Sequence, residues 1–453
     1  MGRTGIGLVT ALTICALSDG ASASPAEVFG FGSANAGRAG AVSATVDDFA
    51  SGYYNPAGLA FGGPGKQVTI GALGAYSHLT IEDRHEPLSE PLGIIVGLRA
   101  PAPLGGPLKD RLFVGLGLYL LPGTVVQIKA RLPDEPFYPY YDNRTQRIVV
   151  LPTVAARITE DLSVGVAVNF LATLQGRVTA SEGATRALEA RVDEEIPSIA
   201  RLNAGVRWRP PGIRGVDLAL TFRQSFSIPF ATVAETMVAG EPINLDIAAD
   251  GVYTPTQVVA GGAYSTKRAS IGLDLVWANW SAYPGPYVQV KSELPLVGPL
   301  AGKIPDVPYK DTFGARVGGQ VAVGPSGDVI LRGGYAFESS AVPAVQRGVT
   351  NLLDGHKNTV ALGLGLRVPQ LIGDHDVRFD LHGSAQLVAH RTLHKTIYDG
   401  TGDYDPFTSL RDEVTDDPSD PATRGAQISN PGYPNLRSGG EVYSAGLTME
   451  VGF

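Results

Sequence analysis

Over 162–170 the chain reads LSVGVAVNF, so that Leu162, Val164, Val166, Val168 and Phe170 alternate with Ser163, Gly165, Ala167 and Asn169. The same period returns near 380, where Val377, Phe379, Leu381, Ala385 and Leu387 alternate with Arg378, Asp380, His382, Ser384 and Gln386. It returns again at the end, with Tyr443, Ala445, Leu447, Met449, Val451 and Phe453 set against Ser444, Gly446, Thr448, Glu450 and Gly452. A period of two puts successive side chains on opposite faces, which predicts strands with one apolar and one polar face. Applied along the chain, it predicts about fourteen strands, near 66–82, 92–100, 110–129, 146–159, 161–178, 199–210, 215–230, 252–266, 268–280, 311–324, 327–338, 357–368, 375–391 and 441–453.

A soluble sandwich alternates as well, so the connections must decide. Short ones lie at Glu160-Asp161, PPGIRG from Pro210, STKR from Ser265, PSG from Pro325 and PQLIGD from Pro369. Long ones cover 130–145, 179–198, 231–251, 281–310, 339–356 and 392–440, and all of these fall on one end. An even strand number with short turns on one side and long loops on the other is the habit of outer-membrane barrels. Beyond the N-terminus, no charge-free apolar run approaches the roughly 18 residues of a membrane helix, although 44% of residues are hydrophobic. The expectation is therefore an all-β transmembrane antiparallel barrel in the outer membrane of a Gram-negative bacterium. The aromatic end at Phe453 resembles the terminal signature read by the barrel-assembly machinery.

Composition narrows the chemistry. Residues 1–23 join Arg3 to an apolar run and a small Ala21-Ser22-Ala23 step, as in a secretory signal peptide. The one cysteine, Cys15, falls inside it, so no disulfide or thiol chemistry is expected of the exported chain. The 7 histidines show no close metal-ligand spacing, and the net charge of -8 offers no basic surface for nucleic acid. No metal or cofactor is expected. His382 near Asp380 is what strand spacing alone produces, and no Gly-x-Ser-x-Gly nucleophile motif accompanies the pair; an enzyme is not expected. Glycine, 57 of 453 residues, sits within the apolar stretches, where it marks bends and close backbone approach.

Residues 24–65 precede the first strand and carry no dyad repeat. They run from an aromatic-glycine segment, Phe29 to Gly32 with Phe31, through Gly37-Arg38-Ala39 and Asp47-Asp48 to Asn55-Pro56-Ala57. This order resembles the mature N-terminus of the outer-membrane long-chain fatty-acid and hydrocarbon transporters of the FadL/TodX type. LDLVWANWS from Leu273, YKDTFGARVG from Tyr309 and LRGGYAFESSAVP from Leu331 resemble that family's later strands, in the same order. The resemblance implies a fourteen-stranded barrel, 66–453, whose segment 24–65 folds back into the lumen as a hatch. Within it, Pro56 would set the chain direction and Asn55 satisfy backbone groups in a turn.

The resemblance further implies capture of a hydrophobic substrate among the outer loops, passage into an apolar pocket and lateral exit through the wall. Pro122-Gly123 stands in the third strand where the family has a kink, and a proline there lacks the donor a ladder needs; the alternative is that the strand stops at Leu121 and a turn begins. Two outer-loop stretches suit capture: LPDEPFYPYYDN from Leu132, which could equally be an interfacial aromatic girdle, and FSIPFATVAETMVAG from Phe226, with Phe230. Arg316 and Arg332, the latter opposite Gln320, are candidates for a carboxylate head group, against the alternative of pairing with Asp274, Asp380 or the hatch. Long-chain fatty acids are the expected substrate, with aromatic hydrocarbons or alkanes as the alternative and a polar-solute porin behind them. Outer-membrane lipid and lipopolysaccharide are the expected surroundings, and the protein is expected to be a monomer.

Overall fold

The computed structural model describes residues 28–86, 92–122, 135–141, 148–172, 175–182, 188–195, 198–238, 241–283, 285, 289–294, 298–301, 309–347, 350–396, 432 and 435–453. The predicted signal peptide, the first residues of the hatch segment and Gly123 lie outside the described residues.

Fourteen antiparallel strands form the wall. They are β1 (Gln67–Ile81), β2 (Leu92–Pro101), β3 (Leu112–Leu120), β4 (Val149–Arg157), β5 (Leu162–Ala172), β6 (Ser198–Trp208) and β7 (Val216–Arg223). The second half comprises β8 (Gln257–Ser265), β9 (Ala269–Ala278), β10 (Thr312–Val323), β11 (Val329–Glu338), β12 (Lys357–Ile372), β13 (His375–Thr396) and β14 (Asn435–Gly452). Each pairs with its sequence neighbours, and β1 pairs with β14 from Gln67↔Gly452 to Ile81↔Ser438. The sheet therefore closes on itself and leaves no open edge, as a strand protein in lipid requires.

Burial along these strands is inverted relative to a soluble protein. Leu381 is 51% exposed while Asp380 and His382 beside it are 1% and 4% exposed. Tyr443 and Leu447 face outward between buried Ser444 and Thr448. An apolar outer belt around a polar interior is stable only against hydrocarbon.

The six connections after β2, β4, β6, β8, β10 and β12, none longer than ten residues, share one end with the start of β1 and the end of β14; the other seven share the opposite, outer end, and all of them but the ten-residue β1–β2 connection are longer. At the short end, tight turns use residues that tolerate positive φ, such as Gly212, Gly324 and Gly373. Beyond the outer end a second sheet is built from Gln175–Glu182, Leu188–Glu195, Phe226–Val238, Glu241–Thr254, Gln289–Leu294 and Gly298–Ala301.

This second sheet corrects three predicted boundaries, one of them the start of the eighth strand, read as 252–266: Val252 to Thr254 pair in the second sheet and the wall strand begins at Gln257. The fifth and seventh strands, read as 161–178 and 215–230, leave the wall at Ala172 and Arg223. The next strands, Gln175–Glu182 and Phe226–Val238, pair outside the barrel, for instance Phe226↔Thr254. A strand pattern records the pleat and not the partner, so the change of sheet is silent in sequence. The third strand, read as 110–129, leaves its ladders at Leu120.

Candidate functional site

Residues 28–65 are enclosed by the wall, and side chains from around the barrel hold them by their backbone. Arg99 on β2 donates to the carbonyls of Leu59, Gly63 and Gly65 at 3.0, 2.6 and 2.9 Å. Arg157 on β4 donates to Ala60 O, and Ser163 on β5 to Ala57 O at 2.9 Å. On β6, Asn203 and Arg207 reach the carbonyls of Gly52 and Val46, both at 3.1 Å. Arg223 on β7 donates to Tyr53 O at 3.0 Å. Opposite charge serves on β9, where Asp274 accepts from Val42 N, Ser43 N and Ser43 Oγ at 3.1, 3.1 and 2.6 Å.

Local sequence explains the shape of the segment. Asn55 caps the 3-10 helix Pro56–Phe61: its Oδ1 accepts from Ala57 N at 3.1 Å, and Pro56 occupies the first helical position, where no donor is needed. Its Nδ2 donates to Ser43 O and to Val206 O of β6, so one side chain ties the turn, the segment and the wall together. Arg38 bonds within the segment, to Asn35 Oδ1, Thr45 Oγ1 and Ala34 O. Phe31 is fully buried against Phe49 and Tyr53, and Phe29 packs at the edge of the same cluster.

The wall is recessed to receive this segment. A side-chain carbon at Gly117 would lie 2.7 Å from the Phe31 ring, one at Gly115 3.0 Å from Leu59, and one at Gly363 3.2 Å from Gly37. Gly165 and Gly205, which face each other across β5 and β6, leave the space taken by Pro56 and Asn55. Part of the glycine excess thus forms an inner surface cut to the contour of residues 28–65.

On the outer side of this segment lies a cavity. Phe29, Gly30, Tyr53 and Tyr54 form its floor, Tyr140 and Trp280 its roof, and Arg316, Glu338 and Lys357 part of its wall. The void measures about 90 Å³ to the centre of a water-sized sphere, several times the roughly 10–15 Å³ that a single water needs. The charges along it are unequal in their commitments. Lys357 lies 3.0 Å from Asp354, 3.6 Å from Glu338 and 3.9 Å over the ring of Tyr140. Arg316 makes no hydrogen bond or ion pair with a described residue, although it lies opposite Asp274 in register.

No protein-family model matches the chain, and no curated protein matches it by sequence. Solved structures do resemble it. The toluene transporter TodX of P. putida superposes with a TM-score of 0.56 at 14% identity, over 94% of this chain and 99% of that one. A FadL homologue of Pseudomonas aeruginosa gives 0.53 at 13% identity over 93% and 97%, and the Ralstonia pickettii toluene transporter TbuX gives 0.52 at 13% over 93% and 98%. The chain has the FadL/TodX transporter fold.

Within this FadL-type fold the predicted residues take different places. Phe31, Arg38, Asn55, Pro56 and Ala57 are buried in the hatch segment, with Gly37 against β12 and Phe29 at the cavity floor. Arg316 faces the cavity, whereas Arg332 is engaged elsewhere: it lies 2.8 Å from Asp380, with both side chains 2% exposed, and donates to Gln320 Oε1 at 3.1 Å. Phe226 is buried but does not line the cavity, and the Phe230 side chain lies outside the described residues. Asp274, weighed as an arginine partner, serves the hatch segment. Pro122 occupies an exposed turn just past Leu120, where the β3 ladder ends.

Other contributors were missed. The tyrosines of 137–141 form neither a lipid-facing girdle nor an exposed patch: Phe137, Tyr138, Tyr140 and Tyr141 are buried in a cluster with Trp280, Leu352 and Leu353. Lys357 was not singled out, since its position on an inward face is legible but its nearness to Tyr140 is not. Pro152, inside β4, coincides with an interruption of the β4–β5 ladder, whose rungs at Val150↔Phe170 and Thr153↔Ala167 flank it. A proline within a predicted barrel strand is the signal that could have found it.

Proposed function

We propose that the protein takes up hydrophobic compounds across an outer membrane, long-chain fatty acids foremost, and is a transporter and not an enzyme. Residues 24–65 act as the hatch that stops free diffusion, and the cavity over it receives the substrate. The observation that carries this reading is the combination of an aromatic floor and roof with a cation on the cavity wall, Arg316, that makes no hydrogen bond or ion pair with a described residue. An alkyl chain gains about 25 cal/mol per Å² by leaving water for such a lining, and a carboxylate head can take charge-assisted bonds from the guanidinium. Arg332, already beside Asp380, is left to a structural role. Exit is lateral, through the wall, so that the substrate never crosses the hatch.

A second reading has its own support. The void is small and its lining is rich in Phe29, Tyr53, Tyr54, Tyr140 and Trp280, which suits a monoaromatic hydrocarbon; two of the similar solved structures are toluene transporters. Uptake of radiolabelled oleate and toluene by cells with and without the gene, and with Arg316→Ala, separates the readings. Fatty-acid transport predicts that Arg316→Ala depresses oleate uptake and spares toluene. Equal losses would assign Arg316 to structure, and a deletion that slowed only sugar or ion entry would favour a porin.

A further inference from the structure

The outer mouth of the barrel is crossed by a short strap, Phe137–Tyr141, from the β3–β4 connection. Each tyrosine hydroxyl on it is anchored to a different part of the wall. Tyr138 Oη donates to Thr80 O of β1 at 2.7 Å and accepts from Gly439 N of β14 at 2.8 Å. Tyr140 Oη donates to Glu338 Oε2 of β11 at 3.2 Å, and Tyr141 Oη to Gln386 Oε1 of β13 at 2.5 Å. The strap backbone bonds to the 339–356 connection, with Phe137 N to Asn351 O at 3.3 Å and Leu353 N to Phe137 O at 2.9 Å. Burial pushes the Tyr138 phenol up to about 12, so it keeps the proton that it donates.

These anchors bridge elements that belong to different hairpins, and they combine side-chain and backbone hydrogen bonds with the burial of four aromatic rings. That is unlike the wall, whose strands are zipped rung by rung. Lifting the strap gives up these hydrogen bonds, about 1 kcal/mol each, and the burial of its aromatic rings, about 1.5–3 kcal/mol for a fully buried one, while the barrel ladders stay intact. Tyr140 is the strap residue that bounds the cavity, with Trp280 beside it at 6.2 Å and the Lys357 ammonium over its ring.

We propose that the strap Phe137–Tyr141 is the outer gate of the cavity and that Tyr140, as its cover, sets which hydrophobic molecules enter by their bulk. The proposal rests on the transport reading above. A guest enters when the strap lifts, and the phenol–Glu338 bond and the ammonium–ring contact draw it shut afterwards.

The chain's one cysteine, Cys15, lies in the predicted signal peptide, so engineered pairs report cleanly. Phe137 and Leu352 are bridge partners, within the roughly 4.4–6.8 Å Cα separation that a disulfide spans. In the Phe137→Cys, Leu352→Cys variant, oxidation is expected to cut uptake of oleate and toluene at least tenfold, and reductant to restore it. Uptake unchanged by oxidation, with the crosslink verified by mass spectrometry, overturns the gate. Tyr140→Ala is the second arm: the rate ratio of a bulky to a compact probe, pyrene against toluene, is expected to rise at least threefold, while an unchanged ratio denies Tyr140 its selecting role. If wild-type cells take up none of the probes, the transport reading itself fails; if they do and the lock has no effect, only the gate fails.

Discussion

Gly165→Ala adds a single methyl group to the inner wall at the place where Asn55-Pro56-Ala57 is seated. Its carbon would lie 2.5 Å from Ala57 N and closer still to the Pro56 carbonyl carbon, where ordinary contact begins at 3.4 Å. Both obstructions are backbone, so no side chain can swing aside; the turn must retreat by about 1 Å, in an interior packed too densely to absorb it. Retreat stretches Ser163 Oγ→Ala57 O and Asn55 Nδ2→Val206 O beyond hydrogen-bonding distance. Each bond is worth about 1 kcal/mol, and overpacking adds roughly 1–3 kcal/mol, for a total cost of about 3–5 kcal/mol to the docked hatch. The barrel should survive, because Gly165 lies in a regular ladder and has no positive φ. Two measurements follow: single-channel conductance in planar bilayers, expected to rise as the displaced hatch leaks ions, and the midpoint of heat-induced unfolding in detergent, expected to fall by several degrees. Gly333→Ala on the lipid face, where the added carbon meets nothing closer than 3.8 Å, is the matched control. Conductance and midpoint indistinguishable from this control would refute the view that the wall glycines seat the hatch.

Two further substitutions test separate parts of the same account. Asp274→Asn keeps one acceptor where three donors converge from Val42 and Ser43 and should destabilise hatch docking by about 2–4 kcal/mol, read as increased protease cleavage within 28–65 while the barrel stays resistant. Leu447→Arg, on the outward face of β14, should cost about 2–4 kcal/mol if that face meets the bilayer midplane, measured by reversible unfolding in lipid vesicles; a neutral result would move Leu447 out of the hydrocarbon belt.

The strand number, the sorting of long and short loops and the inward or outward direction of most wall residues were legible before any coordinates. Arg332 opposite Gln320 is an example: a period of two and a short PSG turn are enough to set that register. Strand ends are poorly legible where a second strand soon follows that pairs outside the wall, as after Ala172 and Arg223. The tyrosines of 137–141 could be assigned to a loop, but whether that loop faced lipid, water or the barrel mouth depended on partners from β1, β11, β13 and β14.

What the sequence determined by itself is everything governed by neighbours one or two residues apart: the two-faced strands, the apolar belt, the Asn55-Pro56 turn and the closed barrel they imply. What only the tertiary structure decided is which inward groups meet one another and which face the cavity. Asp274 meets Ser43 across 231 positions and Asn55 meets Val206 across 151, while Arg332 is taken by Asp380 and Arg316 is left facing the cavity. Chain closure brings these groups together in space, and a linear pattern of period two carries no term for a distance of that length.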